Sequence, residues 1–563
     1  MVEIVAVTSM IKPGSAPVSS PNAAQRLVET LIVNGVTHVF CVPGESYLSV
    51  LDAFVDVADR IKVITCRHEA GAVNMAVAHG KLTGRPGICF VTRGPGATHA
   101  SIGVHTAAQD SVPMILFVGQ IARADRGREA FQEVDYPAVF GSMAKLACEI
   151  DDANRMVEVT TRAFATAMQG RMGPVVIALP EDMLLEPAGP RAPVKVLPAL
   201  AGLDPALLPT IAQRLEKSER PLLILGGTGW SDDALQALAA WVQRSELPVV
   251  LSWRRKDLMD NDHPCYIGDL NIRPTPSLNE RIQSADLIIA LGTRLGDVPM
   301  VGYTLLSTDD VAAKLIHIHA GAEELNRVWQ PSLATIANPA AAAQALSGLT
   351  IKRRWSEWRT AARADYEKTL APIRTIGSVN LSEVFKHLTE VLPHDAILCN
   401  GAGNYAAWPN RFYRYRAFHT QLAPTSGAMG FGFPAAIGAK IVWPHREVIC
   451  VAGDGCFLMT AQELATAVQY DVRLITLVID NGSYGTIRMH QERDYPGRVS
   501  ATDIRNPDFA AYAKSFGAWA TTVERTEDFA PAFAAARAAK APALIHVKTS
   551  VEDILPGVKL TKG

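Results

Sequence analysis

None of the eight cysteines stands in a CxxC pair. That spacing argues against a zinc knuckle or a disulfide framework and suits a reducing compartment, so the cytoplasm is the expected location. Apolar runs are also short. None approaches the ~20 residues that span a bilayer, so no membrane helix is expected. Charge of one sign is missing too: 54 Lys and Arg face 56 Asp and Glu. A balance so near zero offers no polycationic surface for nucleic acid or anionic lipid, which leaves small molecules as the expected partners. Residues 1–21 lack both the basic start and the apolar centre of a signal peptide and read as a flexible tail.

What is present is alternation. At 563 residues, two to four domains are expected. Short apolar runs alternate with helical stretches, the pattern of parallel sheets covered on both faces. The predicted fold class is α/β in three domains: residues 22–188, a Pro- and Ala-rich linker at 189–203, a central Rossmann-like domain at 204–350, a charged connecting helix at 351–377, a third domain at 378–552 and a tail at 553–563.

The most informative stretch runs from Glu447 to Gly485. Val448 to Ala452 reads as a buried strand ending in Gly453-Asp454-Gly455. Thr460 and Glu463 suggest a capping box before a helix over 461–469. Leu474 to Ile479 reads as the next strand, ending in Asp480-Asn481-Gly482-Ser483. Ligands of open α/β sheets sit at such carboxyl ends. Asp454 offers a carboxylate and Asn481 an amide oxygen, hard ligands suited to Mg²⁺, and the glycines let backbone N–H groups approach a diphosphate.

This stretch resembles the thiamine diphosphate (ThDP) motif of GDG, about thirty residues and Asn-Asn, with Asp480 in place of the first Asn. The resemblance extends over about residues 22–550. It is carried by Val42-Pro43-Gly44, Arg67-His68-Glu69-Ala70, Gly94-Pro95-Gly96-Ala97-Thr98, Asp110-Ser111-Val112-Pro113, Gly119-Gln120 and the segment from Ser426 to Lys440. These are similar to the acetolactate synthase, pyruvate decarboxylase and pyruvate oxidase group of ThDP enzymes. The resemblance implies two ThDP-binding domains flanking the central one, ThDP and Mg²⁺ as cofactors, and a homodimer or homotetramer with active sites between subunits. Glu69 would hydrogen-bond N1′ of the aminopyrimidine, and the cofactor's own amino group then serves as internal base. Ala402, Gly403 and Asn404 would contact the diphosphate. The Gly427 carbonyl would accept from the 4′-amino group, and Met429 would wedge the cofactor into a bend. Gly453, Gly455, Cys456 and Tyr484 would line the cofactor, and Ser483 would join Asp454 and Asn481 at the metal.

Substrate motifs are mixed. Phe131-Gln132-Glu133 matches acetolactate synthases, which places Gln132 at the substrate. Glu45 falls where pyruvate decarboxylases carry a pocket aspartate. His490 aligns with a Trp of acetolactate synthases and an acid of pyruvate oxidases, and is expected to face the substrate. His99 and His105 are read mainly as helix-packing residues. Acetolactate synthases bind FAD in the central domain, but the acids beside its adenosine half are replaced here by His319 and Gly321, and a substrate-binding arginine by Val298. FAD is therefore possible but disfavoured. Arg254 and Arg255 are read either as a solvated turn or as an anion site. The expected function is acetolactate synthase-like carboligation of a 2-oxo acid donor; the alternative is a non-oxidative 2-oxo acid decarboxylase or a 2-hydroxyacyl lyase.

Overall fold

The computed structural model describes residues 20–560. Most of the stretch read as an N-terminal tail, residues 1–19, lies outside them. The chain forms three six-stranded parallel sheets with helices on their faces, as expected.

The first sheet holds β1 (His38–Cys41), β2 (Lys62–Thr65), β3 (Gly87–Val91), β4 (Met114–Gln120), β5 (Leu146–Glu149) and β6 (Pro174–Pro180). The second holds β7 (Pro221–Leu225), β8 (Val249–Leu251), β9 (Tyr266–Asp269), β10 (Leu287–Leu291), β11 (Leu315–His319) and β12 (Leu333–Ile336). The third holds β13 (Ile397–Asn400), β14 (Gln421–Leu422), β15 (Val448–Gly453), β16 (Ile475–Asp480), β17 (Trp519–Val523) and β18 (Ala543–Lys548). The inner strands are buried along their length, as β3, β4 and β6 show, because helices cover both faces.

Strand order locates the ligand sites. The first and third sheets repeat one order, β2-β1-β3-β4-β6-β5 and β14-β13-β15-β16-β18-β17. The central sheet runs β12-β11-β10-β7-β8-β9, the dinucleotide-binding order. Ligands of such sheets sit where the order reverses, at the strands' carboxyl ends. In the outer sheets those points follow β1 and β3, and β13 and β15.

The outer domains share one hydrophobic core, in which Val73, Met75 and Val77 of the first pack with Phe433 and Ile437 of the third. The Glu69–Thr83 helix is rich in Ala and Gly and buried nearly all round, which lets it lie flat against the Gly432–Val442 helix. The capping box expected at Thr460 does not form. The Thr460 hydroxyl donates to the Gly430 carbonyl at 2.9 Å, and the helix starts only at Leu464. Glu463, fully buried, turns to the first domain instead. Its Oε1 accepts from His68 N–H at 2.9 Å and from Arg67 N–H at 3.1 Å, and its Oε2 accepts from the Thr466 hydroxyl at 2.6 Å. Only glycine fits at position 71, where a Cβ would lie 2.2 Å from Glu463 Oε1. The connecting helix spans Ser356–Thr369. Beyond it the chain's end folds back: Ile554 is buried, and the Asp553 carboxylate accepts from the N–H groups of Ile376 and Gly377.

Candidate active site

The turn residues after β13, β15 and β16 meet around a cavity of about 240 Å³. Among the residues singled out from the sequence, Ala402, Gly403, Asn404, Gly427, Met429, Gly453, Asp454, Gly455, Cys456, Asn481, Ser483 and Tyr484 all line it. At Gly427, where φ is +69°, a Cβ would meet nothing within 4 Å, so any side chain there would project into the open cavity.

The floor carries two facing carboxylates. Asp454 is buried, and Asn506 Nδ2 donates to both Asp454 Oδ2 and Asp480 Oδ1 at 2.7 Å. Burial first, then the facing Asp480, pushes the Asp454 carboxyl up to about 6, against the hydrogen bonds from Gly455 N–H and Asn506. Asp480 is held down despite its own burial, because His546 Nε2 lies 2.7 Å from its Oδ2 and Gly482 N–H and Asn506 also donate to it. Two facing carboxylates, a neighbouring amide oxygen on Asn481 and the buried, unpartnered Asn506 Oδ1 suit a hard divalent ion. The residues present therefore fit Mg²⁺ with a diphosphate above it.

Glu69, Glu45 and Gln132 gather elsewhere, at the switch point of the first sheet. Glu69 opens its helix directly after β2 and its Oε2 lies 2.9 Å from His99 Nδ1. His99 is half-exposed and stacked on His68, with ring centroids 4.6 Å apart, so it is not the packing residue expected from sequence. His105 is exposed as well. Gln132 has a φ of +66° and lies against Gly94. Glu45 is exposed and bonded to Arg93 at 2.9 Å. Glu69 does not line the 240 Å³ cavity of its own chain.

Three family descriptions match the chain in order: the N-terminal TPP binding domain of thiamine pyrophosphate enzymes over residues 21–139, their central domain over 208–346 and their C-terminal TPP binding domain over 401–547. The acetolactate synthase large subunit of Parasynechococcus marenigrum (strain WH8102) is 32% identical over 545 residues, covering 93% of this chain and 87% of that protein. The chain belongs to the thiamine pyrophosphate enzymes. Other relatives are the acetolactate synthase isozyme 2 large subunit of Escherichia coli (strain K12), 28% identical over 95% of this chain and 97% of its own, and the acetolactate synthase of Bacillus subtilis (strain 168), 28% identical over 94% and 93%.

Two further cavities flank the central domain of this thiamine pyrophosphate enzyme. One, of about 590 Å³, is lined by Arg254 and His490 and shares Ala402, Gly403, Asn404 and Thr486 with the cofactor-type cavity. The other, of about 520 Å³, is lined by Arg255, Arg294, Val298 and Glu324. Arg254 and Arg255 are 5% and 7% exposed, so the solvated-turn reading is overturned. At the end of β11, the His319 ring accepts from Gly321 N–H, and Glu324, the nearby acid, is engaged by Arg171 and Arg327. Of the two acids that follow β11, Glu324 is thus engaged, whereas Glu323 is exposed and its Oε1 lies close to Gly321.

Sequence reasoning missed Glu463 as a domain clasp, Asn506 as the bridge between two acids, and the contact of His99 with Glu69. Asn506 stands in an irregular stretch with no motif around it. His99 does carry a signal: it lies one turn from Gly96, on the helix that starts beside Glu69.

Proposed function

We propose that this thiamine pyrophosphate enzyme depends on ThDP and Mg²⁺ and joins the acyl unit of a 2-oxo acid donor to a second carbonyl compound, in the manner of an acetolactate synthase. The observation that carries this reading is the convergence of Gly403, Gly427, Asp454 and Asn481 on one cavity at a sheet switch point. Asp454, Asn481 and Ser483 would hold the Mg²⁺, with the N–H groups of the turns around Gly403 and Gly455 on the diphosphate. Bound ThDP supplies an electron sink for the bonding pair released from the donor.

This chain's own residues do the rest. Glu69 holds or yields a proton at the pyrimidine, and His99 orients its carboxyl group. Because Glu69 lies outside the cavity of its own chain, the working site takes Glu69 from one copy and the metal floor from another, so the smallest active unit is a dimer. Gln132 and His490 face the substrate.

Glu45 in the Val42-Pro43-Gly44-Glu45-Ser46 run and Val298 in place of the substrate-binding arginine support a second reading, a non-oxidative 2-oxo acid decarboxylase or a 2-hydroxyacyl lyase. Product analysis with pyruvate separates the two. Acetolactate is expected; acetaldehyde as the sole product would favour the second reading, and no turnover of any 2-oxo acid would overturn both.

A further inference from the structure

Arg254 carries a charge that no carboxylate among the described residues neutralises. It is 95% buried, from its 5% exposure, and no carboxylate pairs with it among the described residues. Among the described residues its side chain donates from Nη2 to the Gly401 carbonyl at 3.3 Å, and its Nε is buried without a partner. The guanidinium sits 5.1 Å from the Trp253 ring centroid. The backbone is strained as well, with φ at +62°, a conformation that arginine adopts only at a cost. A lone buried cation costs stability unless something pairs with it. Strain and an unpaired charge at one residue point to a ligand.

Arg254 opens onto the 590 Å³ cavity between the central and third domains. That volume suits a ligand much larger than pyruvate. Part of the wall is apolar, from Leu278, Tyr366 and Met489. The two carboxylates on the wall are engaged. Asp269 accepts from Asn410 at 3.0 Å and from Asn271 at 3.2 Å, and Asp365 is paired with Arg281 at 2.8 Å. Cationic groups thus prevail, with Arg254 the deepest of them.

We infer that Arg254 is an anion subsite, binding a carboxylate or phosphate at the far end of an elongated carbonyl substrate. The stem of that substrate lies along Leu278, Tyr366 and Met489, and its reacting end reaches the shared wall at Ala402–Asn404. The inference deepens the proposed 2-oxo acid reading and rests on it for the reacting end. The anion site itself is tested without turnover.

The test is calorimetric titration of the protein loaded with ThDP and Mg²⁺. The probes are glutarate, inorganic phosphate and the neutral glutaramide, against wild type, R254M and R254N, the last chosen because Asn tolerates a positive φ. One anion is expected to bind wild type and to bind both variants about tenfold more weakly or worse, with ThDP affinity unchanged. Glutarate alone marks a dicarboxylic substrate and phosphate alone a phosphorylated one; binding of both marks an anion site open to either. Ligand-free R254M is expected to melt at or above wild type, since it removes an unpaired buried charge. Absence of anion binding, equal binding of glutaramide, or undiminished binding in both variants would overturn the inference. A large fall in melting temperature in both variants would make Arg254 structural and overturn it too. Failure of the pyruvate assay leaves these outcomes untouched.

Discussion

Glu463→Ala should uncouple the outer domains. The wild-type carboxylate satisfies two backbone donors of the first domain, at His68 and Arg67, and the Thr466 hydroxyl of its own. It also sets a negative charge at the N-terminal end of the Glu69–Thr83 helix, where the helix dipole favours one. A buried donor left without a partner costs about 1–3 kcal/mol. Two such donors make roughly 2–6 kcal/mol. At about 2–4 °C per kcal/mol for a unit of 150–250 residues, melting should fall by roughly 4–24 °C. Glu463→Gln keeps an acceptor for both N–H groups and should cost far less. Large multidomain chains often unfold irreversibly, so all three proteins are compared by calorimetry at one scan rate.

The pH dependence adds a sign. Burial raises the Glu463 carboxyl above the usual glutamate range, and the hydrogen bonds from Thr466, Arg67 and His68 offset part of that. The folded state therefore binds this proton more tightly than the unfolded chain. The resulting stabilisation is complete below the unfolded glutamate value and is lost as pH rises through the raised folded one. The melting advantage of wild type over Glu463→Gln should shrink from pH 4 towards pH 8. Glu463→Ala melting like wild type, or an advantage that grows with pH, would refute the reasoning.

Glu69→Gln should fold normally, as circular dichroism will report, and lose about 10²–10⁴-fold in turnover; near-wild-type rates would remove Glu69 from the chemistry. Asp454→Asn should abolish the rise in melting temperature that Mg²⁺ and ThDP together give the wild type, a rise of about 2.7 kcal/mol in stability at a hundredfold excess over Kd. His68 caps the Glu69 helix by accepting from Ala70 N–H at 3.0 Å, and burial and then His99 lower its pKa against the pull of Glu69. A lowered pKa gives stability that is present above the ordinary histidine value and lost as pH falls through the folded one. His68→Asn, which caps without titrating, should therefore lose less melting temperature than wild type between pH 7.5 and pH 5.

Much of the cofactor-type cavity was legible because its residues come in short runs. Ala402-Gly403-Asn404, Gly453-Asp454-Gly455 and Asn481 to Tyr484 each occupy a turn at the end of a strand, and strand and turn leave local marks. The edge strands β9 and β12 did not stand out; each has four residues, and β9 joins β8 with a shifted register. Thr460 and Glu463 show how a local signal misleads. Their spacing satisfies the capping-box pattern, yet a pair of unpaired N–H groups 395 and 396 residues away competes for the same carboxylate and wins. Arg254 shows the complement: an arginine after a strand is ordinarily solvated, and only the packing of the third domain over it makes it a buried charge.

The sequence alone determined the α/β class and the turns that line the cavity, because each follows from residues within one or two adjacent elements. Tertiary structure decided which turns face one another, that Glu463 joins two domains, that Asn506 bridges Asp454 and Asp480, and that Arg254 is sealed against a cavity. Those contacts depend on burial and on hydrogen bonds between distant segments, and desolvation sets their energy only after the chain has closed around them.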